Sequence, residues 1–309
     1  MLVSCVIAFI IPFELFLFSY GVLGPLHYLT EIGWLHKKNY FTKGKYDFIF
    51  LTILCCILFY YSYLAIGKKM SGEFFASLVA LGVFFSLIFV FVKDWLYRIA
   101  LAILSIFVVT LFYGVKSYFV WVGIFLPTII HVFIFTWAFM LFGVLKERSL
   151  SGFLSIAVLI LCAVTFFVVQ PQGLNYQVSD YIKKSYTQFD LLNFYLINVF
   201  HLDTLTDVKQ IFIANSGFVI MRFIAFAYTY HYLNWFSKTS VIKWHQVPKS
   251  TLAFTIGLWL LSIALYAYDY NTGLIALFFL SFLHVFLEFP LNVVSFTGIA
   301  KSLTGSASK

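Results

Sequence analysis

The sequence predicts an all-α fold, a polytopic transmembrane helical bundle of about nine spans. Two observations predict it. Of 309 residues, 62% are hydrophobic and only 10% charged, where soluble domains carry about 25% charge; mean hydropathy is +0.97. The apolar runs also repeatedly reach the ~20 residues that cross a hydrocarbon core as helix. They do not alternate apolar with polar as barrel strands would.

Taken in order, the spans cover about 2–24, 47–67, 73–93, 98–115, 118–144, 152–170, 209–236, 250–268 and 273–297. The first carries no basic residue ahead of its apolar run, so it reads as a retained span in preference to a signal peptide. "KDWLYR" leaves almost no loop between the third and fourth, which predicts a tight hairpin. The long connection 171–208 contains "DLLNFYLINVF", whose apolar stripe predicts an amphipathic helix along the interface. Residues 1–300 read as a single transmembrane domain and 301–309 as a polar tail.

The net charge of +8 comes from lysine clusters between apolar runs, a topology signal that argues against nucleic acid. Connections after the odd-numbered spans, with the tail, hold 13 of the 20 lysines and arginines, and those after the even-numbered spans hold 6. That bias places the N-terminus outside and the C-terminus in the cytoplasm. Cys5, Cys55, Cys56 and Cys162 fall within apolar runs without ligand spacing and read as small buried hydrophobes.

Ionisable side chains inside a bilayer cost at least ~2.5 kcal/mol each and so face a cavity, a partner or a ligand. Here they are Glu14, His131, Arg222, His231, His284 and Glu288. In "HVFLEFPLN", His284, Glu288 and Asn292 are spaced i, i+4, i+8 and share one helix face, with Pro290 freeing a backbone carbonyl nearby. "HYLTEIGWLH" repeats the pattern: His27 and Glu31 share a face if the stretch is helical, and His36 joins them only through a turn near Gly33. "YTYHYLNWFSK" adds His231 and Asn234, and "VIKWHQVP" adds His245. On this topology six of the seven histidines converge from one face; His201 stands on the other.

Imidazole with carboxylate is the usual ligand set for non-haem iron, and imidazole also suits zinc and copper. The candidate metal ligands are His27, His36, His131, His231, His245 and His284. Glu31 and Glu288 act as catalytic or bridging carboxylates, or fix the imidazole tautomers. Glu14 and Arg222 read as a buried salt bridge, Asn234 and Asn292 as substrate-side or structural groups. Trp34, Trp235, Trp244, Tyr228, Tyr230 and Tyr232 read as interfacial aromatics. Simple hydrogen-bonded core histidines are the alternative reading.

Multiple spans, histidines scattered over several of them, and an apolar interior suited to a lipid or isoprenoid resemble the histidine-rich integral-membrane iron oxygenases. That group includes lipid desaturases and hydroxylases, and the carotenoid-cleaving dioxygenases of the Brp and Blh type. The latter are the nearer likeness, since the clustered histidine boxes of desaturases are absent. The resemblance implies a metal cofactor, iron, and O₂ chemistry on a hydrophobic lipid or isoprenoid substrate drawn from the bilayer, with an electron-donor protein as a further partner. Alternatives are a proton-coupled transporter using Glu14, Arg222, His131, His284 and Glu288, and a haem protein ligated by His131 and His284.

Overall fold

The computed structural model describes residues 1–64, 71–170, 176–239, 243 and 246–304. Among them the secondary structure is helical throughout, with no strand. Six helices among the described residues are long and apolar enough to cross a bilayer: Asp47–Leu64, Gly72–Phe91, Phe119–Glu147, Leu150–Val168, Lys249–Tyr268 and Tyr270–Leu303. This is the pattern of a multi-pass membrane protein. The chain divides into two compact units, Met1–His27 with Ser149–Gly273, and Tyr28–Arg148 with Leu274–Lys309.

The first unit holds α1 (Leu2–Ile10), α2 (Pro12–Phe18), a π-helical turn (Ser19–Leu23) and the start of α3 (Gly24–Lys37). It also holds α9 (Leu150–Val168), α10 (Asp180–Tyr186), α11 (Asp190–Val199), a 3₁₀ turn (Val208–Phe212), α12 (Asn215–Ser237) and α13 (Lys249–Tyr268). The expected first span is broken: Ile11 leaves helical geometry at φ −135°, ψ 62°, and Pro12 starts the next helix. Proline suits a first helical position, where an N–H would have no partner. From Pro12 the chain then stays helical through the π turn to Lys37.

α12 packs against α1, α2, the π turn, α9 and α11. That enclosure buries Tyr228, Tyr230, Tyr232 and Trp235, which correct the interfacial reading; Trp34 is buried likewise. A Cβ on Gly217 would strike the backbone of Ile211, so only glycine lets the 3₁₀ turn lie this close to α12. Polar tips inside the aromatic core find partners, as buried aromatics require. Tyr186 donates to Asn193 at 2.6 Å, Trp259 to the Val22 carbonyl at 2.7 Å and Tyr270 to the Leu17 carbonyl at 3.1 Å. Within "DLLNFYLINVF", α11 turns Leu192, Asn193, Leu196 and Ile197 into the core and packs on α12.

The second unit holds the rest of α3, α4 (Asp47–Phe59) running into a π turn (Tyr60–Leu64), α5 (Gly72–Phe91) and α6 (Trp95–Leu111). Next come α7 (Lys116–Tyr118), a π helix (Phe119–Phe135) continuous with α8 (Thr136–Glu147), and most of α14 (Tyr270–Leu303). The α5–α6 hairpin is as tight as "KDWLYR" predicts, and Asp94 caps α6 by accepting from the Leu96 and Tyr97 amides. α14 carries the chain past the expected end of the last span into the tail as far as Leu303; residues 305–309 lie outside the described residues.

Candidate metal centre

In the second unit, α14 and the π helix Phe119–Phe135 bring His284, Glu288 and His131 together, and all three are buried. One ligating atom from each lies within 4.8 Å of the others, so this set can hold a metal ion. His131 Nε2 stands 3.5 Å from Glu288 Oε2, and the two imidazole rings meet edge to face with centroids 5.3 Å apart. The π helix that presents His131 contains Pro127, which removes a donor from its middle. Wide turns of this kind concentrate at functional sites.

The donor set fits a metal better than it fits an ion pair. Ligands at about 2.0–2.2 Å from one ion lie roughly 3–3.5 Å from each other, and 3.5 Å is long for a charge-assisted hydrogen bond. Among the described residues Glu288 Oε2 accepts no hydrogen bond. Asn292 is the polar neighbour of this carboxyl and carries no charge; a buried carboxylate without a countercharge is costly, and a cation would offset it.

α3 is helical through all of "HYLTEIGWLH", so the i, i+4 spacing of His27 and Glu31 holds. Tyr28 stacks on His284 with centroids 5.6 Å apart and planes 29° apart, and Glu31 lies within electrostatic reach of Glu288. Tyr28 and Glu31 of α3 thus meet α14. Asn292, one turn beyond Glu288, is buried beside it.

In the first unit, His27 and His231 form a second imidazole pair, Nε2 to Nε2 at 3.1 Å. One nitrogen donates and the other accepts, so the two rings hold opposite tautomers at that bond. Tyr232 and Trp235 wall the pair, with centroids 5.1 Å and 5.7 Å from the His27 ring. Asn234 is buried on the same helix.

Other expected site residues stand elsewhere. His36 is exposed, since no turn interrupts α3 at Gly33; its Nδ1 lies 3.2 Å from the Tyr40 hydroxyl. His201 sits in a loop with φ 52°. His245 and Trp244 lie outside the described residues. The Glu14–Arg222 bridge does not form. Glu14 accepts from the Tyr176 hydroxyl at 2.6 Å, and the Arg222 guanidinium lies over the Phe9 ring at 5.5 Å.

Sequence reasoning also missed a buried ion pair in the second unit. Arg98 binds Asp47 through both ends of its fork, at 2.7 and 3.0 Å, and donates its Nε to the Val92 carbonyl at 2.9 Å. Asp47 also accepts from the Gly44 amide at 2.7 Å. Arg98 opens an apolar helix beside "KD", so it reads as one more boundary cation; nothing local marks its partner 51 residues away.

The fold and this cluster define a class: a multi-pass helical membrane protein with a buried imidazole–carboxylate centre able to hold a metal ion. Comparison with protein-family models, with curated proteins and with solved structures finds no match.

Proposed function

We propose that the protein is a membrane metalloenzyme, a non-haem iron oxygenase acting on a hydrophobic lipid or isoprenoid substrate. The observation that carries this reading is the buried set His131, His284 and Glu288, two imidazoles and one carboxylate. That ligand set, with open positions, suits non-haem iron in O₂-using enzymes. Zinc and copper are the competing occupants. Edge contact between the His131 and His284 rings leaves no room for a macrocycle between them, which argues against haem.

In this reading bound iron supplies the activation of O₂. The chain's own residues hold and shape the site. Glu288 supplies the negative charge that offsets the ion. Tyr28 fixes the plane of the His284 ring by stacking, and Glu31 stands as a further ligand or as the proton-carrying group beside Glu288. The apolar packing of α5 against the π helix excludes water, and the substrate enters from the bilayer. A mono-oxygenation or desaturation at this site would draw two further electrons from a donor protein, whereas a dioxygenation would need none.

The reading extends to topology. α1 with α2, α6 and α12 complete nine crossings, and the lysine bias sets the N-terminus outside and the C-terminus in the cytoplasm.

One observation favours a different reading. Two buried carboxyl groups within electrostatic reach of each other, Glu31 and Glu288, suit a proton-coupled carrier. Elemental analysis of protein purified without chelator separates the two. The enzyme reading expects about one iron per chain, with no haem band in the visible spectrum. Metal-free wild type that takes up solute on a proton gradient would establish the carrier instead.

A further inference from the structure

A cleft of about 850 Å³ lies in the first unit, walled by α10, the start of α11, the 3₁₀ turn and the first turn of α12. Its volume falls in the range of small-molecule pockets. The wall mixes two chemistries. Lys183, Lys184 and Lys209 supply ammonium groups, and Phe212 and Phe218 supply an aromatic floor. The one acid in the wall is Asp190. Lys183 already bonds the exposed Asp180 at 3.2 Å, whereas among the described residues no ion pair or hydrogen bond holds the ammonium of Lys184 or Lys209; Asp269 acts on Lys184 only through space.

Depth in the membrane narrows the occupant. α9, which is long and apolar enough to span, ends at Val168, and Gln170 just beyond it accepts from Asn215 at 3.1 Å at the start of α12, which walls the cleft. α13, another such helix, ends at Tyr268, and Asp269 just beyond it feels Lys184. Two span ends therefore flank the cleft and set it at the level of lipid headgroups. Ammonium groups beside half-buried aromatic surface at that level match an anion carrying an apolar tail.

We propose that this cleft binds an anionic phospholipid, its phosphodiester on Lys184 and Lys209 and the first methylenes of its chains against Phe212 and Phe218. The site is separate from the metal centre and does not rest on the oxygenase reading. Burial pushes the Asp190 carboxyl up to about 6, so mild acid removes the one negative charge in the wall. The charged groups around it, from α10 and the 3₁₀ turn, are the three lysines, which stay cationic through that range.

The test uses the full chain in detergent micelles, titrated with short-chain phosphatidylglycerol or phosphatidylcholine and read by native mass spectrometry. Phosphatidylglycerol should bind in preference. The double variant K184A/K209A should bind it about thirtyfold more weakly, while K184R/K209R and the remote K146A bind as wild type. Equal binding of the two lipids, or wild-type affinity in K184A/K209A, would overturn the proposal. Displacement by equimolar inorganic phosphate would also overturn it, by identifying a free-phosphate site. Unchanged thermal unfolding of the variants excludes misfolding as the cause.

Discussion

His131 Nε2 faces Glu288 Oε2 across 3.5 Å, between a π helix and the last helix of the chain. If that gap is the edge of a coordination sphere, the charge on Glu288 matters more than its hydrogen-bonding shape. Glu288→Gln keeps the shape and removes the charge. Metal affinity, read by competition with a chelator, should fall at least about tenfold. Melting of the chelator-stripped protein should be unchanged or slightly raised, because a buried carboxylate has been removed. Metal retained at wild-type level would assign Glu288 a purely structural role.

The histidines separate by position. His131→Ala and His284→Ala each remove a ligand from the buried set and should lose bound metal. His201→Ala, in a loop, and His36→Ala, exposed beside Tyr40, should keep it. Metal content per chain by elemental analysis is the readout. Equal content in all four variants would remove the cluster as the binding site.

The legible part of this site was the part written along one helix. His284, Glu288 and Asn292 share a face because of helical period alone, and so do His27 and Glu31 once α3 is helical. His131 was named with them only as one of six candidate ligands; which of the six reaches Glu288 was not legible. His131 reaches Glu288 through packing of two helices far apart in sequence, and no local spacing encodes that. The tyrosines around His231 carry the amphipathic rings of an interface belt, yet α1, α2, α9 and α11 enclose the helix that bears them. Pro12 did mark the break in the first span, and hydropathy averaged across it hid the signal. Glu14 and Arg222 looked like complementary charges, but Glu14 accepts from Tyr176 and Arg222 lies over the Phe9 ring, its Nε without a hydrogen bond among the described residues.

Asp47 and Arg98 should behave as a unit. Either partner left alone is a buried charge without compensation, so Asp47→Ala and Arg98→Ala should each destabilise by about 3–5 kcal/mol. Replacing both with apolar residues of similar volume, Asp47→Leu with Arg98→Met, should recover most of the loss. Thermal unfolding in one detergent, run as a double-mutant cycle, measures the coupling. Additive losses would show that the pair contributes nothing beyond its separate contacts.

Asp190 gives a pH dependence outside the spans. Burial raises its carboxyl from the usual 3.8 to about 6, opposed by a hydrogen bond from the Leu191 amide. The folded chain therefore holds this proton more tightly than the unfolded chain does. The associated stability is fully present below pH 3.8, declines as pH rises, and is gone above about 6. Discounted for its half-exposed position, it amounts to about 1 kcal/mol. Asp190→Asn cannot titrate, so the wild-type melting temperature should fall relative to the variant by about 2 °C between pH 4 and 6.5. Parallel curves would show that the carboxyl titrates alike in both states.

The last prediction links packing to the metal centre. On α5, a Cβ at Gly82 would collide with the Phe286 ring and press on Phe289 at 3.3 Å. Both rings are buried on α14, and Phe286 lies between His284 and Glu288 in sequence. A ring with almost no exposed surface cannot swing aside, so Gly82→Ala must shift α14 or its rotamers, at a cost of about 1–3 kcal/mol. A shift of even half an ångström opens the 3.5 Å edge between His131 and Glu288. Gly82→Ala should therefore loosen bound metal as well as lower the melting temperature. Gly143→Ala is the control: it lies on α8, where a Cβ meets nothing within 4 Å, and alanine favours helix over glycine by about 1 kcal/mol. Its metal content should match wild type with equal or higher stability. If Gly82→Ala melts early yet keeps its metal with unchanged affinity, α5 supports the fold without positioning the centre.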